Sequence, residues 1–427
     1  MFVAYGVHQR RLMELIVTAL AALLVSSCGG SGGGGSGGGG SGEEQSSSEE
    51  TQQTKSALFQ VDTSQSAQST VQETTSEEDR FSADNLQELD STIAQVIEDK
   101  DLPGVLVAVS VPREGEYVSA QGTANLDTGA EPQTTDQFRM GSVTKTFVAT
   151  AILQLVDQGQ LSKSDTLSNW YPDFPNADEI TVDDLLSMRS GIADYWDEET
   201  IKQYYDNPFE NVTNEDIIEE AAAKADQFEP PDQETKYTDT NYNILGAILE
   251  KVSGNDIATQ LTENILIPLG LNNTFYPTDD ELPGGLRGYG LNSQSEEFED
   301  KTVLNPAPAD GAGAMISDIS DLGVWARALY NGALLNPETQ QARLETQPLE
   351  GAPPGGAGYG EGIAGTGSLW GHGGTISGFS TEMWYIPEQD ATIVISVNRS
   401  DEEMDSHSGE VLKAVLTSLF PESLPSG

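Results

Sequence analysis

The chain has 427 residues, enough for one large domain or two smaller ones with a well-buried core. It carries 69 Asp and Glu against 20 Lys and Arg, a formal net charge of −49, which repels DNA, RNA and anionic headgroups and so excludes a nucleic-acid partner. A single cysteine, Cys28, excludes an internal disulfide and a thiolate metal cluster. Much of the acid is spread through segments that otherwise read as folded, which is the pattern expected of a protein built for very salty water. At ~1 M salt the Debye length falls to about 3 Å, and self-repulsion is largely screened.

In chain order, the first segment reads as a targeting signal. Arg10 and Arg11 make a positive start, and the apolar run 15–25 is short for a membrane span. It ends in Val25-Ser26-Ser27-Cys28, which resembles the lipobox of prokaryotic lipoproteins, with Cys28 acylated as the first mature residue. The expected localisation is therefore outside the cytoplasm, anchored to the membrane by lipid; Arg10-Arg11 also suits twin-arginine export. Residues 1–27 are thus the signal. Residues 28–81 follow as a Gly/Ser and then Ser-, Thr-, Gln- and Glu-rich linker with too few apolar residues to fold.

The folded domain is expected over 82–421. Leu86, Leu89, Ile93, Val96 and Ile97 recur at helical spacing, with Ser82 or Asp84 as cap. Residues 105–111 and 117–122 read as a hairpin turning at Pro112-Arg113-Glu114-Gly115. The middle, 147–305, is mostly helical and loop-like. Strands return at 381–386 and 391–397, and a last helix follows near 407–420. The order implies an α/β (α+β) fold: an antiparallel sheet built from both ends of the domain, about 82–146 and 306–421, flanked by helices and carrying an inserted helical part.

Three stretches carry chemistry. In Gly141-Ser142-Val143-Thr144-Lys145, apolar residues follow at helical spacing (Phe147, Val148, Ala151, Ile152, Leu155), placing Ser142 in the first turn of an amphipathic helix. Ser142 and Lys145 then share one face, and a shielded lysine has its pKa lowered and can act as a base. In Tyr237-Thr238-Asp239, a loop entering an apolar helix, Tyr237 is placed to relay a proton if a nearby lysine lowers its pKa. In Trp370-Gly371-His372-Gly373-Gly374-Thr375, glycines let a ligand approach backbone, and His372 is the histidine with a plausible site. Patterns of the Gly-x-Ser-x-Gly type occur only in the Gly/Ser linker, and no His-Glu-x-x-His is present.

These three stretches, in this order, resemble the serine β-lactamase and penicillin-binding-protein superfamily, and more narrowly its class C β-lactamase, D-alanyl-D-alanine carboxypeptidase and esterase branch. Phe138-Arg139-Met140, Leu185-Leu186-Ser187-Met188, Asn243-Ile244-Leu245-Gly246 and Gly313-Ala314-Met315-Ile316-Ser317 support the resemblance, which covers about 81–420. It implies Ser142 as acylated nucleophile, Lys145 as its activating amine and Tyr237 as proton relay. His372 would orient the substrate carboxylate or the tyrosine, and the backbone N–H groups of Ser142 and Thr375 would form the oxyanion hole. Asp239, Gly373 and Gly374 would line the substrate site. No cofactor and no metal are implied.

Two positions depart from the family pattern. Asp239 stands where Asn is usual, and a carboxylate accepts but cannot donate; it would instead hold Lys145 or a different substrate. Gly373 stands where Thr is common, removing a hydroxyl that would contact a substrate carboxylate. The expectation is a serine hydrolase acting on a small-molecule or short-peptide substrate, with peptidase or esterase action favoured over β-lactam hydrolysis. The alternative from another class is a non-catalytic surface protein that keeps the fold to bind peptides.

Overall fold

The computed structural model describes residues 80–195, 200, 212–224, 231–292, 295, 297–353, 356–401 and 406–424, all in one compact unit. The signal, Cys28, the linker up to residue 79 and the acidic residues Asp197, Glu198, Glu199, Glu402 and Glu403 lie outside the described residues.

Ser82 opens the domain: its side chain accepts the Asn85 N–H at the start of helix Ala83–Asp99, which buries Leu89 and Ile93. β1 (Gly104–Val111) and β2 (Gly115–Gly122) form the expected hairpin. Short strands follow at β3 (Phe138–Arg139), β4 (Tyr289–Leu291), β5 (Phe298–Asp300), β6 (Ile316–Ser317), β7 (Gln347–Pro348), β8 (Gly358–Tyr359) and β9 (Ala364–Thr366). Three long ones close the sheet: β10 (Leu369–Ile376), β11 (Phe379–Ile386) and β12 (Ala391–Val397). The main sheet is eight-stranded and antiparallel, in the order β2-β1-β12-β11-β10-β9-β8-β7. The first hairpin thus pairs directly with the last strand, and both ends of the domain build one sheet.

Every residue of β11 and β12 is buried, so both sheet faces are covered. Cross-strand partners share a face, and the register puts Tyr385 with Thr392 on one side and Glu382 with Ile395 on the other. Tyr385 packs against Tyr330 of helix Ile319–Asn331, ring centroids 5.1 Å apart. Glu382 instead accepts a hydrogen bond from Ser408 of helix Ser408–Leu419, which packs on helix Ala83–Asp99. Helix Ile319–Asn331 therefore covers one face and the two terminal helices the other.

Helix Thr144–Asp157 differs from its expected amphipathic form, because Thr144 to Leu153 are all buried. It lies between helix Thr240–Ser253 and helix Ile319–Asn331, where Phe147 stacks on Trp325 at 4.2 Å. Its polar side chains bond inside the protein: Thr144 accepts the Met315 N–H, Thr146 accepts the Trp325 indole N–H, and Thr150 accepts from Arg343. The middle of the domain is helical as expected but also holds the β4–β5 ladder, and β3 pairs with β6 across the insertion.

Candidate active site

The nucleophile turn is set by Gly141, whose φ of +54° lies in the left-handed region open to glycine. Residues Gly141–Val143 form a 3₁₀ turn that leads into the helix at Thr144, so Ser142 precedes the α-helix instead of lying in its first turn. The three-residue spacing still brings the Lys145 Nζ to 3.0 Å from the Ser142 Oγ. Lys145 is wholly buried and also donates to Asp239 Oδ1 at 2.5 Å and to the Ala312 carbonyl at 2.7 Å. Three acceptors match the three N–H groups of an ammonium. When the amine is neutral, Asp239 and Ala312 hold its two N–H groups and the lone pair is left for the Ser142 hydroxyl.

Asp239 occupies the N-cap position of helix Thr240–Ser253, a place where an Asp side chain normally caps backbone N–H groups; here it caps none. Its carboxylate turns to Lys145, and its own backbone N–H donates to Asp194 at 3.3 Å. Two residues earlier, the Tyr237 ring lies 5.0 Å from the Lys145 Nζ. The Tyr237 hydroxyl is buried and makes no hydrogen bond among the described residues.

Burial is the largest influence on all three buried groups. It lowers the Lys145 pKa, against the opposing pull of Asp239 and Asp194. The Tyr237 pKa goes up, not down as the sequence suggested: burial and Asp239 raise it, and the nearness of Ser142 offsets only part. Tyr237 is therefore a neutral phenol, a proton donor. His372, 1% exposed, is pushed down to about 3 by burial and then by the Lys145 charge. Its Nδ1 faces the Gly373 carbonyl and its Nε2 lies 3.1 Å from the Tyr359 hydroxyl. A carbonyl only accepts, so the hydrogen-bond network assigns the proton to Nδ1, and Tyr359 donates to Nε2. The His372 ring lies beside that of Tyr237, ring centroids 6.0 Å apart.

β10 crosses the nucleophile turn. A Cβ on Gly141 would lie 2.8 Å from the Thr375 N, and one on Gly374 would lie 3.0 Å from the Ser142 N and strike the Met140 carbonyl. The N–H groups of Ser142 and Thr375 thus border one crossing point, and Gly374 serves that close approach. Gly373 is half-buried, and a Cβ there would come within 3.3 Å of Glu382 Oε2. A side chain at 373 would set out toward Glu382, on the sheet face away from His372. β9 pairs with β10 only through Leu369–Gly371, leaving the edge beyond it open on that side.

Sequence reasoning missed Asp194, the Ala312 carbonyl and Tyr359. Asp194 follows Gly191-Ile192-Ala193 directly and was within reach as a loop carboxylate; the carbonyl and Tyr359 left no sequence signal. No group of three or more His, Cys, Asp or Glu suited to a metal occurs among the described residues.

With this geometry in place, the comparisons define the class. The β-lactamase family model matches residues 89–416, and the chain belongs to that family. Among curated proteins, Bacillus subtilis PbpX is 28% identical over 54% of this chain and 56% of its own length. Penicillin-binding protein 4* of Bacillus subtilis is 26% identical over 71% of this chain and 69% of its own. The chain thus spans only about half of the first relative and about two-thirds of the second. Among solved structures, a D-stereospecific amidohydrolase from Streptomyces sp. superposes with a TM-score of 0.68 at 27% identity, covering 78% of this chain and 97% of that one. A D-amino acid amidase from Ochrobactrum anthropi shares the fold at TM-score 0.69 and 24% identity, covering 79% and 99%. Fold, family and relatives together are consistent with serine hydrolase activity.

Proposed function

We propose that the chain is a serine hydrolase working through a Ser142 acyl-enzyme on a D-amino peptide, ester or β-lactam-like substrate, without metal or cofactor. The observation that carries this is the hydrogen-bonded line Ser142–Lys145–Asp239, with the nucleophile oxygen 3.0 Å from a buried lysine whose pKa is lowered by that burial. Neutral Lys145 takes the Ser142 proton as Oγ attacks the carbonyl carbon. The oxyanion forms against the N–H groups of Ser142 and Thr375. Tyr237, held neutral, gives its proton to the leaving group and regains one from the Lys145 ammonium, which restores both residues. Water then hydrolyses the ester along the same path in reverse. The open edge of β10 suits an extended substrate laid beside it as an added strand.

The amidohydrolase among the structural relatives and the carboxylate at Asp239 favour peptide, amide or ester substrates over β-lactams. The proposed setting is the outside of the cell membrane, with the enzyme tethered through acylated Cys28; Cys28→Ser should release soluble, active enzyme.

Ser142→Ala should abolish labelling by a fluorophosphonate probe and lower p-nitrophenyl ester hydrolysis by at least ~10⁴-fold, with unchanged melting temperature. Undiminished hydrolysis would overturn the mechanism and leave the non-catalytic peptide-binding reading in its place.

A further inference from the structure

Within this proposed function, we infer that Asp239 is a specificity-determining residue that receives a substrate ammonium group, so that the enzyme selects D-amino acid amides and esters with a free α-amine over N-acylated or anionic ones.

The placement of the carboxylate comes first. An Asp at a helix N-cap has an easy structural role, and Asp239 does not take it. One oxygen bonds Lys145; the other has no hydrogen-bond partner among the described residues, and the side chain is 14% exposed although Lys145 beneath it is sealed. Asp239 is thus two hydrogen bonds from Ser142 Oγ, by way of a single nitrogen. A carbonyl carbon positioned for attack sits about 3 Å from that oxygen, and an α-amine is two covalent bonds from the carbonyl carbon. The free carboxylate oxygen is within reach of such an amine.

The charge balance points the same way. The principal ions acting on Lys145, Tyr237 and His372 are Asp239, Asp194 and Lys145 itself. With Tyr237, Tyr359 and His372 neutral, the described charges beside Ser142 are Lys145 and the carboxylate of Asp239 that pairs with it, and that carboxylate is left without its cation once Lys145 is a free base. A substrate carboxylate would be repelled, whereas an ammonium would be drawn in.

Recognition then feeds into catalysis. An ammonium docked on Asp239 takes up the negative charge that otherwise holds the proton on Lys145. Lys145 releases that proton to water and is left as the base that Ser142 requires. The substrate amine therefore promotes turnover as well as binding, and its loss should lower kcat as well as raise KM.

The test compares D-phenylalanine p-nitroanilide with its N-acetyl form, in the wild type, Asp239→Asn and Asp239→Glu. The wild type should favour the free amine at least tenfold in kcat/KM, with the preference fading above pH ~8 as the amine deprotonates. Asp239→Asn should bring the ratio near one, and Asp239→Glu should restore part of it. An unchanged ratio in Asp239→Asn, or a wild-type preference for the acetylated substrate, would overturn the assignment. Should Asp239→Asn not turn over at all, binding to the wild type decides: D-phenylalanine amide should raise the melting temperature and N-acetyl-D-phenylalanine amide should not, and equal shifts would overturn the assignment. Selective binding without any fluorophosphonate labelling of Ser142 would sink the acyl-enzyme reading and leave this one standing.

Discussion

Strand β10 separates two acids, one half-buried and one buried, that solve the same problem in opposite ways. On the His372 side, Asp239 lies against the buried Lys145 ammonium and keeps one oxygen toward the cleft. On the far side, Glu382 is 2% exposed and makes no ion pair among the described residues; it is held by the Trp384 indole at 2.6 Å and the Ser408 hydroxyl at 3.1 Å. Burial pushes its pKa up to about 7, against the partial relief those two donors give. A carboxylate beside a cation is a working charge, whereas one walled in by neutral donors is stable chiefly when protonated. The same carboxyl chemistry is thus ion-paired beside Ser142 on one face of the strand and a pH-sensitive packing element on the other.

The largest expected effect comes from breaking the charged side. Lys145→Ala should slow acylation by at least ~10³-fold, and adding Tyr237→Phe should cost far less than the product of the two single effects, because the residues act as a unit. Single-turnover kinetics with a p-nitrophenyl ester would check this, and multiplicative losses would separate the two roles.

Asp239→Asn removes the main influence that raises the Lys145 pKa. The amine should then stay neutral to lower pH, and the acid limb of kcat/KM for p-nitrophenyl acetate should move to lower pH. A limb that stayed put would show that Asp239 and Lys145 are not electrostatically coupled during turnover.

On the other face, Glu382→Gln tests stability. The folded pKa of about 7 exceeds the unfolded value of 4.5, so the native state favours the protonated acid. Its contribution is fully present below pH 4.5 and is lost as pH rises through 7. The variant should therefore gain on the wild type across that window, by up to roughly 3 kcal/mol at pH 8. Asp310, half-buried and also raised to about 7, remains in both proteins, so the difference isolates Glu382. Parallel stability curves would refute the account.

The smallest and most diffuse effect concerns the surface acids. Thermal unfolding of a chain starting near Ser82 should shift upward from ~0.1 M to ~3 M KCl, because salt screens like-charge repulsion. Part of the acid is already neutralised: Asp401 pairs with Arg399 at 2.7 Å and His407 at 3.1 Å, which hold its carboxyl well below the usual range. A flat or falling melting temperature would show that the acidity is not an adaptation to salt.

By itself the sequence determined what depends on near neighbours. Helical spacing set Lys145 one turn from Ser142, Ser82 marked the first helix, and strand-like runs bounded by turn residues located the first hairpin and the last two long strands. The order of these elements was enough to bring both ends of the domain into one sheet. Tertiary structure decided everything that rests on contacts between distant residues. Lys145 and Asp239 are 94 positions apart, and no local pattern says that this carboxylate forgoes its cap to reach the amine. The short strands β7 to β9 carry too few residues to show a period, and helix Thr144–Asp157 is buried over its first ten residues because other helices enclose it. Burial also reversed the direction expected for Tyr237 and removed the charge from His372, since desolvation is set by everything packed around a group and leaves no trace in the residues beside it.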